Sequence, residues 1–388
     1  MPNVSVIIPT YDRAHMIGDA IQSVLEQTYP DWELLVVDDG SHDHTKEVVA
    51  QVADARVRYL AQPHRGLSAA RNTGVRNTRG HYVAFLDSDD VFLPGKLRAQ
   101  ASLLDAQPDV GLVGGGYFEV DAGWRVQRRI QPWDRHPTLA CRDWLLACPF
   151  CPGVPLVRRE WLERAGLFDE TMERAEDWDL WLRMAGLGCR MEWLRAPVYC
   201  YRIHGSNMVH DVSLMKAGMI RMLDKLYAQA DLPAEILALH DQAYANVYLD
   251  AAARAYAAGL GAQAKECLAK AVELAPSLME GDPPQAFSSL ASFAVSPLCD
   301  DADAFAETLV SSLPDDPRIP HWSRRKLRGL LHAVAAFEYF QQRQRRLVVK
   351  EGISALCADV TWARNRGLLA IVGRSLISGL GNFEDVAS

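Results

Sequence analysis

The sequence has no apolar run of the roughly 18 residues that a membrane span requires. Its nearest approach, "GLLAIVGRSLISGLG" (367–381), is short and is broken by Arg374. The opening "MPNVSVIIPT" enters a strand pattern without a basic leader or a long apolar stretch, so the expectation is a cytoplasmic chain. A basic surplus is missing as well. The net charge of −8 excludes nucleic acid as the main partner, because a phosphate backbone demands a basic face. Of eight cysteines only Cys148 and Cys151, in "CPFC", stand at paired spacing. No second pair completes a zinc site, and "PGVP" follows where a redox helix would begin, so reduced, partly buried thiols are expected. Neither GxGxxG nor GxxxxGK[ST] occurs, which disfavours a dinucleotide site and a P-loop.

What is present is ordinary globular composition, 49% apolar and 23% charged, over 388 residues, enough for two or three domains. Apolar runs at 4–9, 33–41, 56–60 and 82–86 read as strands. Between and after them, segments 16–25, 46–52, 66–78 and 93–106 carry helical spacing, with Ser68 the expected cap of the third. This alternation predicts a mostly parallel sheet with flanking helices. From 110 to 200 the pattern is mixed: strands at 109–121, 124–130, 190–194 and 196–205, and helices at 158–168 and 177–186. Beyond 211 strand signals nearly vanish. Residues 246–277 read as two helices around Gly259 and Gly261, spaced like a tetratricopeptide unit, and 322–380 are helical again. The expected organisation is an α/β domain over 1–210 and an all-helical domain over 211–388. Within the latter, "SRRKLR" and "RQRRL" read either as solvated helix faces or as contacts for anionic lipid or an acidic protein.

Open parallel sheets bind ligands beyond the carboxyl ends of their strands. Three such ends here carry unusual residues: Pro9, Thr10 and Tyr11; Asp38, Asp39, Gly40 and Ser41; and Asp87, Ser88, Asp89 and Asp90. One alone is weak, since Asp and Gly frequent turns. Three on one sheet edge gather carboxylates around a single crevice. So acidic a crevice repels a polyanion unless a hard divalent cation, Mg²⁺ or Mn²⁺, reverses its sign and bridges to phosphates. Arg71, near a helix start, is a second candidate for phosphate.

The segments "VSVIIPTYDR", "LLVVDDGSHDHT", "GLSAARNTGVRNTRGHYVAFLDSDD" and "GLFDETMERAEDWDLWLRMA", in this order, resemble the family-2 glycosyltransferases over residues 3–208. The resemblance implies a GT-A fold, a nucleotide-sugar donor (usually UDP-linked), a divalent metal and inversion at the anomeric carbon. It implies a nucleotide site of Pro9, Thr10, Tyr11, Arg13, Asp38, Asp39, Arg71, Asp87 and Ser88, with Asp39 accepting from the uracil ring and Asp87 near the ribose. Asp89 of the DxD-like "DSD" would hold the metal, joined by His204 of "YRIHGSN", with Asp90 behind it. Glu176-Asp177 matches the family's acidic pair: Asp177 is the expected base and Glu176 orients the acceptor. Trp178 is the candidate for acceptor stacking, whereas Leu180, Trp181 and Met184 are expected to pack inside. The acceptor is expected to be a hydroxyl of a saccharide, a lipid-linked molecule or a protein, and the helical domain is a candidate for peripheral membrane or protein contact.

Two rivals stand beside this reading. "VAFLDSDDV" also fits the nucleophile motif of haloacid-dehalogenase phosphatases, although that motif usually lies on the first strand and three strands precede it here. Alternatively the chain is a non-catalytic scaffold on a decayed transferase domain, against which the retained acids and Arg71 argue.

Overall fold

A computed structural model describes residues 2–205, 207, 211–320 and 322–380. The chain divides into two compact units, Met1–Asn207 with Ala217–Leu239, and Met208–Lys216 with His240–Ser388.

The first unit is built on one sheet in the order β3-β2-β1-β4-β8-β6-β9-β5, with β7 paired to β6. Strands β1 (Val4–Thr10), β2 (Trp32–Asp38), β3 (Val57–Ala61) and β4 (Tyr82–Phe85) are mutually parallel. Helices α1 (Ile17–Leu25), α2 (Thr45–Ala50) and α3 (Leu67–Arg76) make the crossovers. Every residue of β1 and β4 is buried, which explains their unbroken apolar runs: a strand covered on both faces has no side that needs polar residues. The second half is mixed. After β5 (Val91–Phe92) and α4 (Lys96–Ala106) come the long β6 (Val110–Val120), β7 (Val126–Ile130), α5 (Cys141–Leu146), β8 (Leu156–Arg158), α6 (Arg159–Arg164), α7 (Glu176–Gly186) and β9 (Arg190–Arg202). β8 runs antiparallel to both β4 and β6, while β6 and β9 are parallel.

Three local expectations are corrected. Segments 190–194 and 196–205 are not two strands but one, β9, whose pairing with β6 slips register around Gly114 and Gly116. The short β5 and β8, of two and three residues, lie outside the expected strands. Ser68 does not cap α3: Gly66 is the capping residue, at φ 91°, a conformation that favours glycine, and the Ser68 hydroxyl turns to the Met172 carbonyl. The N–H groups of Arg65 and Gly66 are satisfied instead by Asp39, from the end of β2.

The helix α8 (Val212–Tyr227) contributes its residues from Ala217 onward to the first unit, as does α9 (Ala234–Leu237). The second unit is helical: α10 (His240–Ala257), α11 (Gly261–Leu274), α12 (Gln285–Ala294), α13 (Ala302–Ser311), α14 (Arg324–Gln341), α15 (Arg345–Ala358) and α16 (Arg366–Leu380). Gly259, at φ 71°, ends α10, and Pro276 opens a 3₁₀ turn after α11. One core gathers Tyr256, Phe287, Phe305 and Trp322; another, joining α14, α15 and α16, gathers Ala336, Val348, Ala355, Leu368 and Ile371. Among the described residues no helix is long and apolar enough to cross a membrane.

Candidate active site

The ends of β1, β2 and β4 lie side by side, because Thr10 is in register with Asp38 and Ile7 with Phe85, two residues before Asp87. Pro9 and Thr10 are buried within β1. The Thr10 hydroxyl has no partner among the described residues. Asp38 is spent on the turn itself: Oδ1 accepts from the N–H groups of Gly40 and Ser41, and Oδ2 from the Tyr59 hydroxyl at 2.6 Å. Asp39 Oδ1 accepts from Gln62 Nε2 and the Arg65 N–H, and its Oδ2 meets the Gly66 N–H at 2.8 Å and His64 Nδ1 at 2.8 Å. His64 is the most exposed of these partners, and its ring lies against that of Tyr11 with centroids 4.4 Å apart. Tyr11 is 40% exposed. Asp39 is thus flanked by an aromatic pair, one of which it holds.

Arg71 organises the centre. Its guanidinium is 1% exposed, donating from Nη1 to Glu176 Oε1 at 2.6 Å and from Nη2 to Asp87 Oδ1 at 2.8 Å, above the Phe168 ring. One cation therefore ties the end of β4 to the start of α7. Burial opposes the charge on Arg71, but the two carboxylates prevail and hold it firmly protonated. Burial likewise pushes Asp87 above the ordinary carboxylate range, against the pull of Arg71.

The next two acids part ways. Asp90 is buried, accepting from the Tyr199 hydroxyl at 2.6 Å and the Arg202 N–H at 2.7 Å. Burial, with Asp89 and Asp87 nearby, pushes it well above its usual range. Asp89 keeps its charge: burial works against ionisation, but His204 Nε2, 3.1 Å from Oδ2, holds it below the usual value, with Arg13 adding attraction. Ser88, between Asp87 and Asp89 in sequence, is buried.

Helix α7 opens at Glu176, and its preceding residue, Ala175, sits in the left-handed region at φ 58°. A β-carbon there costs on the order of 1–2 kcal/mol, strain concentrated one residue before the acidic pair. Leu180, Trp181 and Met184 are wholly buried, as the spacing predicts. Glu176 is the Arg71 partner; Asp177 is half-buried, and one oxygen accepts from the Trp178 N–H. Burial first, then Glu176, push the Asp177 carboxyl up to about 7. Trp178 is half-buried with its indole N–H on the Trp144 carbonyl, leaving its ring as the part able to meet a ligand. Behind this helix Lys225 of α8 bonds Asp179 at 2.7 Å and Asp169 at 2.6 Å.

Cys148 and Cys151 are free thiols. Burial pushes both well above the usual thiol value, with Asp177 among the charges that reinforce it, so neither is a ready thiolate. Their loop is pinned by Lys96, whose Nζ donates to the Val154 carbonyl at 2.6 Å. Gly153 crosses Tyr199 so closely that a β-carbon would lie 2.1 Å from its ring.

The profile described as "Glycosyl transferase family 2" matches residues 5–166. The putative glycosyltransferase EpsE of Bacillus subtilis is 30% identical over 207 residues, 52% of this chain and 73% of that one. The chain belongs to glycosyltransferase family 2. That membership removes the phosphatase reading of "VAFLDSDDV". A second family relative, named UDP-Glc:alpha-D-GlcNAc-diphosphoundecaprenol beta-1,3-glucosyltransferase WfgD, from Escherichia coli, is 41% identical over 130 residues, 33% of this chain. The chain spans about half of that protein's length (51%). Among solved structures, the mannosyltransferase PcManGT of Pyrobaculum calidifontis, in complex with GDP-Man and Mn²⁺, superposes with a TM-score of 0.53 at 23% identity, over 79% of this chain and 86% of that one. This likeness establishes the shared GT-A fold.

Sequence reasoning missed four contributors. Gln62 and His64 follow β3, and applying the strand-end rule to that strand as well would have found them. Tyr199, inside a strand, and Lys225, on a later helix, carry no local signal of their partners.

Proposed function

We propose that this chain is an inverting, metal-dependent glycosyltransferase that moves a sugar from a UDP-sugar to a hydroxyl of a lipid-linked saccharide. The observation that carries this is Asp177: a carboxylate tuned to about 7, at the mouth of a helix tied through Glu176 and Arg71 to the donor-side Asp87.

In this reading the base lies against Tyr11, and its ring N–H replaces His64 on Asp39, since His64 is the most exposed of the four Asp39 partners. Pro9 and Thr10 line the base pocket, and Asp38 acts by shaping the turn beneath it. Arg13 faces the diphosphate, Asp87 the ribose, and Ser88 carries the chain between the acids. Among the described residues no cluster of three or more metal-binding side chains exists. Asp89 and His204 nonetheless fit Mn²⁺ or Mg²⁺, because one ionised carboxylate and one imidazole leave the remaining positions to substrate phosphates and water, as such ions prefer. Bound there, the ion offsets charge on the departing diphosphate.

The reaction is a single in-line displacement. The acceptor hydroxyl, aligned by Glu176 and the Trp178 ring, gives its proton to Asp177; its oxygen forms the new bond at the anomeric carbon, and the bond to the UDP oxygen breaks with its electron pair. An α-linked donor then yields a β-linked product. The lipid-linked acceptor rests on the WfgD relative, whose name gives a GlcNAc-diphosphoundecaprenol acceptor.

The test is thermal-shift screening against UDP-, GDP- and dTDP-sugars with and without Mn²⁺, followed by transfer assays. Stabilisation by UDP that needs Mn²⁺, abolished in Asp89→Ala, and transfer abolished in Asp177→Asn with UDP binding kept, are the expected results. Stabilisation confined to a non-uridine nucleotide would overturn the Asp39 assignment.

A further inference from the structure

The described residues from 322 to 380 hold eleven Lys or Arg against three Asp or Glu, a surplus of eight positive charges in a chain whose total is −8. Part of this surplus is consumed within the helical unit. Arg324 and Arg328 pair with Glu307 and Asp303 of α13, Arg325 donates to the carbonyls of Cys357 and Ala358, and Lys326 lies over Trp322. Lys350 meets Glu351 at 3.4 Å, whereas Arg343, Arg346, Arg364 and Arg366 are exposed and make no ion pair among the described residues.

These charges border apolar side chains left in solvent. On α15 the residues opposite the buried Val348, Gly352 and Ala355 are Arg346, Lys350 and Ile353, the last 49% exposed. On α16 the buried side is Leu368, Ile371, Val372 and Ser375, and the outer side carries Arg366, Leu369 and Leu376, the leucines seven residues apart and 42% and 51% exposed. Gly352 lets the two helices meet, since a β-carbon there would lie 2.2 Å from Val372. The one acid on α15, Glu351, is half-buried and shared by His332 at 2.7 Å and Lys350 at 3.4 Å. Among its described residues α16 has no acid.

We propose that the outer faces of α15 and α16 dock on an anionic phospholipid bilayer. Arginines meet the headgroups, and Ile353, Leu369 and Leu376 enter the acyl boundary. Charge complementarity selects the occupant: exposed arginines with no opposing carboxylate favour anions, the aliphatic side chains beside them favour an apolar layer, and a charged bilayer offers both. An acidic protein fits less well, because interface anchors are enriched in aromatic residues and these faces expose none.

The experiment is co-sedimentation of the whole chain with extruded vesicles of phosphatidylcholine alone or mixed with phosphatidylglycerol. The expected result is binding to the anionic vesicles only, weakened by salt. Arg346→Gln with Arg366→Gln should lower partitioning about thirtyfold, from roughly fivefold for each basic residue. Leu369→Ser with Leu376→Ser should also release the chain, while circular dichroism and melting stay unchanged. No binding to anionic vesicles, equal binding to neutral ones, or binding indifferent to both double variants overturns the proposal; so does capture by polyglutamate beads with vesicles ignored. Vesicle binding is read without turnover, so its outcome is separate from that of the transfer assays.

Discussion

Asp177 is held up to about 7 from an ordinary value of 3.8, by burial first and by the neighbouring Glu176 second, with Arg71 opposing. A base acts only when deprotonated, so kcat/KM should rise with pH, reach half its maximum near 7 and fall about tenfold per unit below that. Removing the like charge with Glu176→Gln leaves an amide that still accepts from Arg71. It should move the acid limb down by about one unit or more. The same shift has a stability consequence of opposite sign. A carboxyl whose folded value is raised stabilises the fold at low pH, below 3.8, and that contribution is lost as pH rises through about 7. At pH 8 the ionised Asp177 therefore costs the fold at most about 4 kcal/mol, from 1.36 kcal/mol per unit. Asp177→Asn should then be inactive yet melt higher than the parent at pH 8 in EDTA, by a ceiling of roughly 10 °C, with the gain shrinking towards pH 4. The assays are transfer rates from pH 5.5 to 9 and calorimetry of both proteins. A flat wild-type profile, an Asn variant that retains turnover, or one that melts lower at pH 8 would each refute the reasoning.

Further outcomes follow from the same site. Tyr11→Ala should weaken UDP binding between about fivefold and a hundredfold, as loss of a base–aromatic stack does, measured by titration calorimetry with kcat little changed. Lys225→Met takes the cation from Asp169 and leaves Asp179 to Arg183 alone behind α7; kcat should fall while the KM for donor holds, because the residues proposed for the donor, Tyr11, Asp39 and Asp87, make no hydrogen bond to Lys225. His204→Ala should raise the Mn²⁺ concentration needed for UDP-dependent stabilisation, read by thermal shift.

The parallel half of the sheet was readable because burial on both faces writes a continuous apolar run, as in β1 and β4. The antiparallel half was less so. β8 spans three residues and β5 two, too short to show any period, and β9 slips register where Gly114 and Gly116 face Phe150, Trp193 and Trp133, so its middle reads as a break. At the site, residue types were legible and partners were not. A serine at a helix start reads as a cap, yet Asp39, 27 residues before Gly66, does that work; a local rule cannot see a carboxylate delivered by the neighbouring strand. For the same reason Asp38 and Asp39 look equivalent in sequence, although one is closed off by Tyr59 and the turn while the other touches an exposed histidine.

The question of what balances the acids also has a more divided answer than charge counting suggests. Asp87, Asp89, Asp90, Glu176 and Asp177 crowd one crevice, but the protein meets each differently. Asp90 is turned inward onto Tyr199 and a backbone N–H, so it buttresses the segment instead of presenting charge. Asp87 and Glu176 share Arg71, whose rigid fork fixes the two carboxylates relative to each other, whereas a lysine ammonium, as at Lys225, bridges two acids without setting their geometry. Asp89 and Asp177 make no hydrogen bond to Arg71: one is kept ionised by an imidazole, the other by its surroundings kept near the point of protonation. A cation and a proton are what two such carboxylates separately require. Arg71→Lys should therefore lose transfer through a misplaced α7 even where UDP and Mn²⁺ still bind, and a lysine variant with full turnover would show that the fork has no part in setting the base.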